Sequence, residues 1–361
     1  TGNPQITFFK VVYRRHTNFS MESIAQTWSG SSTGQSGKCT ATISRNGDLI
    51  HRMYLELDGI PTANDKNPGS AGITSVELEI GGQKIDKHTG QWMETWAQLT
   101  QPNPTGFCGT VHNDAAKAMG TQFQITTGMG GATAGTDTIV STKVFVPLQF
   151  WFCRNVGLAL PLIALQYHEV KVILDHNWGI AGFTDGTTGV TANTLWVDYI
   201  YLDTDERRRF AQVSHEYLIE QVQEQSWSAT NQTLNFNHPV KELIWTRWNI
   251  TKNVWGPEAM TTTSSYQLKL NGHDRFAERN LKYFTRTQVW QHHTGYGSTI
   301  NPDAIAVYSF ALKPEEHQPS GTCNFSRIDN AKLEMEGTTK PTIANVYAVN
   351  YNVLRIMSGM G

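Results

Sequence analysis

The stretch SSTGQSGKCT, residues 31–40, is the part of the sequence that comes nearest to a nucleotide-binding loop. A phosphate-binding loop of the GxxxxGK[ST] type needs glycine at its first position, and a hydroxyl after the lysine to hold magnesium. Here Ser32 stands at the first position, Cys39 follows Lys38, and no helical pattern comes next. We therefore interpret the stretch as a connection between strands.

A pair of carboxylates could carry glycosidase chemistry. Glu77 and Glu79 are two residues apart in a strand-like stretch, so their side chains point to the same side. A second, similar stretch has Gln267 and Lys269 at the corresponding positions. Since those residues are typical of a solvated face, we interpret the two glutamates in the same way.

The spacing of histidines and cysteines gives little support for a metal site or a reactive thiol. The twelve histidines show no HExxH-like spacing, and the pairs His168-Glu169 and His292-His293 would point to opposite faces of a strand. The cysteines lack CxxC spacing, which favours reduced thiols over a zinc site or a disulfide framework. They are Cys39, Cys108, Cys153 and Cys323. The sequence thus predicts no catalytic residue, no metal site and no cofactor.

Four Asn-x-Ser/Thr triplets are candidate glycosylation signals, beginning at Asn18, Asn231, Asn249 and Asn324. Asn18 and Asn324 lie in or beside strand-like stretches, so Asn231 and Asn249 are the better surface candidates. The alternative is that all four asparagines are bare, as expected of a protein that no glycosylation machinery reaches.

The composition is that of a globular protein, with 361 residues, 39% hydrophobic content and a formal net charge of −2. The densest basic run, residues 207–209, follows three acidic residues, so the electrostatic pattern of a nucleic-acid-binding protein is missing. The longest apolar run, residues 156–165, is interrupted by Pro161 and is about half as long as a membrane-spanning helix. We therefore expect no direct contact with nucleic acid, no transmembrane helix and no signal peptide.

One strand-and-turn design occurs twice, as VELEIGGQKIDKH at 76–88 and YQLKLNGHDRFAE at 266–278. In both stretches apolar and polar residues alternate, which is the period of a strand with one buried face. Each strand then meets a Gly-Gly or Asn-Gly pair that ends in Gly82 or Gly272 and suits a tight hairpin. We predict equivalent hairpins, with positive φ at both glycines.

Two shorter echoes keep the same order along the chain. DLI at 48–50 resembles ELI at 242–244, and VDYIYL at 197–202 resembles VNYNVL at 349–354. Three echoes in one order indicate two tandem β-domains of common design. Because the repeat is too long for a propeller blade, a sandwich or jelly roll is favoured.

We place the division between a first domain of residues 1–207 and a second of residues 208–361. Helical spacing is clearest at residues 91–99, where Trp92, Trp96 and Leu99 fall on one face; a second short helix is predicted with Thr204 as its N-cap. Both helices are interpreted as connectors between strands.

Longer motifs carry a family resemblance. They run from TGNPQITFFKVVYRRHTNF through EIGGQKIDKH, LALPLIALQYHEVK and WVDYIYLDTDERRRFAQ to NYNVLRIMSGMG. Together they closely resemble the major capsid proteins of nucleocytoplasmic large DNA viruses, especially those of phycodnaviruses and chloroviruses.

The resemblance implies an all-β double jelly roll, with two tandem eight-stranded antiparallel sandwiches and a few short helices in connections. It implies a homotrimer that forms nearly hexagonal capsomers and tiles an icosahedral shell, with minor capsid and penton proteins as further partners. An internal viral membrane would lie nearby without being entered, and outer loops would bear glycans. Synthesis would take place in the host cytoplasm or a viral factory.

Two other functions remain open at this stage. Eleven tryptophans and long loops suit a carbohydrate-binding jelly-roll protein, although Trp151, Trp196 and Trp245 lie in strand-like stretches where core packing is commoner. A jelly-roll enzyme is the third hypothesis, and the missing ligand and acid pairs argue against it.

Overall fold

The protein is described by a computed structural model over residues 16–60, 66–102, 120–132, 141–179, 190–227, 229–251, 254–295, 297, 303–336 and 344–357. All statements below about what is absent refer to these residues. They include no helix with both the length and the apolar character needed to cross a bilayer.

The first half of the chain forms two antiparallel sheets. Sheet 1 has the order β1-β10-β4-β7, with β8 also paired to β4, and sheet 2 has the order β2-β3-β9-β5-β6. Their strands are β1 Phe19–Gln26, β2 Trp28–Gly30, β3 Ser36–Thr42, β4 Leu49–Asp58, β5 Ile73–Ile80, β6 Gln83–His88, β7 Lys143–Pro147, β8 Leu160–Pro161, β9 Val170–Asn177 and β10 Ala192–Leu202.

The second half repeats this plan. Sheet 3 has the order β11-β21-β13-β14, with β18 and β19 also on β13, and sheet 4 has the order β12-β20-β15-β16, with β17 also on β15. The strands are β11 His215–Trp227, β12 Asn231–Leu234, β13 Pro239–Asn249, β14 Gly256–Glu258, β15 Ser265–Leu270, β16 His273–Asp274, β17 Arg279–Asn280, β18 Ile305–Ser309, β19 Cys323–Asn324, β20 Ala331–Glu336 and β21 Ala344–Ile356.

The main strands of the two halves follow the same order. In each half the chain passes repeatedly between two facing sheets, so that β1, β10, β4 and β7 find their counterparts in β11, β21, β13 and β18. The predicted all-β double jelly roll is therefore confirmed. Short strands such as β2, β8 and β17 add to the eight that were expected of each roll.

The two predicted hairpins are equivalent elements. β5 turns into β6 through Gly81 and Gly82, and β15 turns into β16 through Asn271 and Gly272. All four turn residues have positive φ, between 51° and 81°, as expected of a type I′ turn. In each roll the alternating apolar residues of the first strand enter the core.

The two shorter echoes match equivalent strands but not equivalent positions, which corrects the prediction. Ile50 and Val197 face the core of the first roll, whereas their supposed counterparts Ile244 and Val349 lie on the outer side of sheet 3. The physical reason is that β13 and β21 are buried on both faces. Without alternation, a short apolar match cannot fix the phase of a strand.

Each roll has its own core between its two sheets. In the first roll the core contains Leu55, Leu78 and Val197 among many others, and in the second it contains Leu243 and Leu268. Burial of these apolar faces is the main contribution to the stability of each sandwich.

Within the described residues, six α-helices occupy the connections: α1 Pro68–Ala71, α2 Gly90–Thr100, α3 Gln122–Thr127, α4 Trp151–Arg154, α5 Thr204–Gln212 and α6 Gln288–His292. Helix α6 is preceded by a π-helical turn, Tyr283–Thr287. The predicted helix at 91–99 is confirmed as α2. The second helix is also present, but Asp203 and not Thr204 is its N-cap, because the Asp203 carboxylate accepts the Thr204 amide at 2.7 Å. The division proposed after residue 207 falls inside α5 and stays a prediction.

Candidate functional site

The stretch at 31–40 belongs to the framework of strands. Residues 31–35 join the antiparallel strands β2 and β3, and a strand rather than a helix follows Lys38. Across the described ranges no group of three or more His, Cys, Asp or Glu side chains is arranged to hold a metal ion. Cys39, Cys153 and Cys323 are free thiols, and Cys108 lies outside the described residues.

Glu77 lies in a solvated ion-pair cluster. Its carboxylate is 3.1 Å from Lys84 Nζ and 3.2 Å from Lys87 Nζ on the neighbouring strand. Partial burial works to raise the pKa of Glu77, but the hydrogen bonds from both lysines outweigh it, and the pKa lies below its ordinary value. A carboxylate held in this way is ionised and unsuited to act as a general acid.

The asparagines of the glycosylation triplets have different surroundings. Asn231 is exposed at the start of β12, and Asn249 is half-buried at the end of β13, where its side chain accepts the Thr251 amide at 2.9 Å. Asn18 is exposed just before β1, and the side chain of Asn324 accepts the Ser326 amide at 3.1 Å. Modification at Asn231 or Asn249 stays a prediction.

The tryptophans divide between core and surface. Trp151 and Trp245 are buried in the first and second cores. Trp196 is only partly buried, because it points away from the core to the outer side of sheet 1, where it stacks on Tyr54 at 6.4 Å. The core assignment of Trp196 was therefore wrong, since alternation alone does not say which side of a sheet is covered.

The outer side of sheet 3 is the first of two surfaces that matter for function. We call it the covered face and define it by Ile244, Ile305, Val307, Tyr347 and Val349, each at most 1% exposed. It packs against Trp92, Trp96 and Leu99 of α2. The covered face is thus the interface between the two rolls.

Helix α2 has apolar residues on both sides. Met93 and Ala97 enter the core of the first roll, whereas the Trp92 ring lies 5.1 Å from the Tyr347 ring of the second. A helix with apolar residues on opposite sides can bury both of them. Helix α2 connects strands as predicted, and it also joins the two rolls, which the sequence did not predict.

Polar bonds fix the register of this interface. The Thr89 hydroxyl, at the N-cap of α2, donates to Glu224 at 2.9 Å. At the other end of the helix, the hydroxyl of Thr294 donates to the Thr100 carbonyl at 2.8 Å. The Asn345 amide donates to the Gln91 side chain at 2.6 Å. Such directional contacts set one relative position of the two rolls.

A buried ion cluster lies at the edge of the interface. Lys241 Nζ is 2.7 Å from Glu220, and Arg154 of the first roll is 2.7 Å from the other carboxylate oxygen. Burial works to raise the pKa of Glu220, but the charges of Arg154 and Lys241 and a hydrogen bond from His317 hold it at about 2. Glu220 is therefore ionised under ordinary conditions and ties α4 to the second roll.

A second buried group is His293, which lies between Glu242 and Glu315 with both distances at 2.9 Å. Burial works to lower its pKa, but the two carboxylates raise the pKa of His293 to about 9. Sequence reasoning missed this group because it placed His292 and His293 on a strand. The residues instead end helix α6, where the backbone turns His293 inward.

The outer side of sheet 1 is the second surface, and we call it the open face. It is defined by Phe19, Met21, Tyr54, Phe145 and Trp196. Phe19 is 57% exposed and Met21 47% exposed. Tyr54 packs between Trp196 and Phe145, with ring centroids 6.4 and 6.2 Å away.

The open and covered faces are equivalent surfaces of the two rolls. Trp196 lies opposite Tyr54 in sheet 1, as Tyr347 lies opposite Ile244 in sheet 3. Ile244 follows Tyr54 by 190 positions, the same separation that relates the two hairpins. The same side of the same sheet is therefore buried in one roll and accessible in the other.

A cleft of about 660 Å³ borders the open face. Tyr54, Phe145 and Asp198 line it from sheet 1, and Phe123 lines it from α3. Its size and mixed aromatic and charged lining suit a protruding side chain as well as a small molecule.

Comparison with known proteins gives consistent matches over the whole chain. The family described as "Large eukaryotic DNA virus major capsid protein" matches residues 206–361, and "Major capsid protein N-terminus" matches residues 7–203. The major capsid protein of Pyramimonas orientalis virus is 53% identical over 392 residues, covering 100% of this chain and 94% of that protein.

Solved structures agree with these matches. A crystal structure of PBCV-1 VP54, fitted into a cryo-EM reconstruction of the virophage Sputnik, superposes with a TM-score of 0.78 at 36% identity over 98% of both chains. The Faustovirus major capsid protein, at 12% identity, has a TM-score of 0.71 over 98% of this chain and 93% of that one. The second likeness is one of fold alone.

Proposed function

The chain belongs to the major capsid proteins of large eukaryotic DNA viruses, and on that premise we propose that three copies form a nearly hexagonal capsomer that tiles an icosahedral shell. Three chains of two rolls each supply six similar units around one axis. A block of this shape packs edge to edge although each chain contributes only two of the six units.

The observation that supports this proposal best is the interface inside the chain. Two equivalent rolls are joined through α2 and the covered face in one fixed arrangement. If the same arrangement repeats between chains, the rolls close into a ring. A protein that only needed to bind a ligand would have no use for a second, equivalent roll held in this way.

No observation favours the carbohydrate-binding alternative. The tryptophans that suggested it are largely used in packing: Trp92, Trp96, Trp151 and Trp245 are all buried. The proposed capsid role includes no enzymatic turnover, in keeping with relatives that are capsid proteins.

The further partners follow from the place of such a subunit in a virion. We expect contacts with neighbouring capsomers, with minor capsid and penton proteins, and with no nucleic acid. The internal membrane lies nearby without being entered, and glycans are expected at Asn231, at the start of β12, or at Asn249, at the end of β13. Glycopeptide mass spectrometry of virions decides this last point, and virions in which both asparagines are bare would contradict it.

The mass of the purified protein tests the main proposal. The chain has a mass of 40.4 kDa, so light scattering is expected to give roughly 120 kDa for three copies. Negative-stain images should show particles with a hexagonal outline. A persistent monomer at micromolar concentration would contradict the capsid role.

A further inference from the structure

We propose that the open face of the first roll is the docking site for the second roll of another copy of the chain, which contributes Trp290 and Leu312. We call these two residues the docking patch. The inference rests on the proposed function and adds to it the two surfaces that meet between copies.

The first step is the internal duplication. Within the chain, the helix that follows β6 of the first roll packs on the outer side of sheet 3. The topologically equivalent helix of the second roll is the π-helical turn with α6, which follows β16 and β17. If the relation between rolls inside the chain repeats between chains, this second helix lies on the outer side of sheet 1 of a neighbour. That surface is the open face.

The second step is the shape of the helix that would dock. Phe284 and Val289 are buried beneath it, so the helix has a fixed support. Asp303 accepts two hydrogen bonds from Arg286, at 2.9 and 2.7 Å, and holds the opposite side. On this rigid element Trp290 is 80% exposed. A large aromatic side chain held out on a rigid support is typical of an interface anchor.

The third step is the segment after β18, which corresponds to α4 after β7. Inside the chain, Arg154 of α4 contacts Glu220 on β11. Glu220 lies opposite Tyr351 in sheet 3, and Met21 lies opposite the equivalent residue, Ile200, in sheet 1. Met21 therefore occupies the position of Glu220. In the second roll the segment after β18 presents Leu312, which is 78% exposed.

Where the chain has the Arg154–Glu220 ion pair between its own rolls, the proposed contact between two chains has the apolar residues Leu312 and Met21. Leu312 and Met21 are both exposed. Met21 occupies the position of Glu220, and Leu312 lies in the segment that corresponds to the one carrying Arg154. The two parts of the docking patch are also joined, because the His292 ring contacts the Leu312 carbonyl at 3.2 Å. Trp290 and Leu312 therefore form one surface. In the proposed contact Trp290 meets the aromatic end of the open face, at Tyr54 and Trp196, and Leu312 meets the other end, at Met21.

The chemistry of the open face suits this occupant. Aromatic residues and methionine are enriched in the cores of protein interfaces, and Phe19 and Met21 are large apolar side chains left exposed at one end of this face. The neighbouring cleft, bounded by Tyr54 and Phe145, is open to an inserted indole ring. Because the patch and the face lie on different rolls, the contact runs head to tail, as a closed ring of copies requires.

The experiment uses the full chain with one charge introduced on either surface. Met21→Glu alters the open face and Trp290→Glu alters the docking patch. Tyr167→Glu is the matched control, since Tyr167 is 74% exposed in the turn before β9 and belongs to neither surface. The concentration at which half of the protein is assembled is measured by analytical ultracentrifugation.

We expect Met21→Glu and Trp290→Glu each to raise this concentration by about 100-fold, as loss of an interface hot spot does. Tyr167→Glu should leave it unchanged. Circular dichroism and thermal melting of each monomer report whether it is folded. If either variant fails to fold, Phe19→Glu or Leu312→Glu replaces it on the same surface.

Mixing the two variants tests whether the two surfaces meet each other. A Met21→Glu chain keeps its docking patch and a Trp290→Glu chain keeps its open face, so one intact junction forms between them. The mixture should therefore contain a dimer that neither variant forms alone. Two monomeric variants that give no dimer on mixing would overturn the pairing.

The other outcomes separate the two proposals. Wild-type protein that stays monomeric contradicts the proposed capsid role itself. Wild-type protein that trimerises, together with both variants trimerising at the same concentration, overturns the docking inference and leaves the capsid role standing.

Discussion

The outer side of the same sheet has opposite surroundings in the two rolls. On sheet 3 the covered face, formed by four aliphatic residues and Tyr347, is essentially inaccessible and is covered by α2. On sheet 1 the outer side carries Tyr54, Trp196, Asp198 and Arg52 and remains accessible. The two compositions agree with the proposal that the faces are buried at different times. A face buried during folding can be largely apolar, whereas a face that stays exposed until a second chain binds must remain soluble.

Under the proposed function, a chain with two rolls specifies a larger ring through two kinds of junction. One junction is formed within the chain, where the two rolls are held at high effective concentration. The other junctions depend on protein concentration and can be formed and broken during assembly. The predictions below test this division, from the largest expected effect to the smallest.

The largest effect is expected where an aromatic anchor is removed from the covered face. Trp92 is buried against Trp96 and Tyr347, so Trp92→Ala should lower the free energy of unfolding by about 3–5 kcal/mol. Trp290→Ala, at an exposed position, should change it by less than about 0.5 kcal/mol. Urea unfolding of the dilute monomer measures both, and equal losses would contradict the assignment of covered and open faces.

A nearly equal effect is expected from the buried ion cluster. Glu220→Gln leaves Lys241 buried without its charge partner, which should cost about 3–5 kcal/mol. Lys241→Met should cost clearly less, because Glu220 keeps Arg154 at 2.7 Å and His317 at 3.4 Å. The reverse order in denaturant unfolding would show that Lys241 and not Arg154 is the main partner of Glu220.

His293 should make the covered face sensitive to alkaline pH. Its pKa rises from an ordinary 6.5 to about 9 in the folded chain, so its contribution is complete below pH 6.5 and is lost as the pH rises through 9. The loss should be on the order of 3 kcal/mol. Free energies of unfolding measured between pH 6 and pH 9.5 check this.

The control for that measurement is His293→Gln, which retains hydrogen-bonding groups and cannot titrate. This variant should lose most of the decrease in stability between pH 6.5 and pH 9. If wild type and variant show the same pH dependence, another group is responsible and Glu242 and Glu315 do not hold a charged imidazole.

The smallest effect is expected at the two hairpins, which should respond alike. Gly82 has a φ of +81° and Gly272 a φ of +80°, with no heavy atom within 4 Å of an added Cβ at either. Valine at each position is therefore strained by the backbone alone, by on the order of 1–3 kcal/mol. Thermal melting compares Gly82→Val and Gly272→Val with Glu79→Gln, which should melt as wild type does. Unequal losses would contradict the equivalence of the two hairpins.

Sequence reasoning succeeded where the spacing of apolar residues reveals the period of an element. The repeated hairpin and the Trp92, Trp96 and Leu99 stripe of α2 were both predicted, because alternation and helical spacing remain visible there. It failed on β13 and β21, where burial on both sides removes the alternation that fixes phase. The echoes at 242–244 and 349–354 were misaligned for this reason.

The contacts of the candidate surfaces could not be obtained from sequence spacing. Glu220 and Arg154 are far apart in the chain and meet only when the rolls are joined. The sequence predicts a core position for Trp196, because alternation alone does not show which side of the sheet is covered. Trp290 is unremarkable in the sequence, and its exposure becomes informative only beside the buried Trp92 on the equivalent helix.

Hydroxyl-radical footprinting of the assembled protein and the dilute monomer tests the central claim most directly. We predict that Met21, Trp196 and Trp290 become protected from oxidation on assembly, because the open face and the docking patch cover each other. Trp92 should be protected in both states, and Tyr167 should be oxidised equally in both. Unchanged oxidation of Met21, Trp196 and Trp290 in a protein that has trimerised would contradict the account.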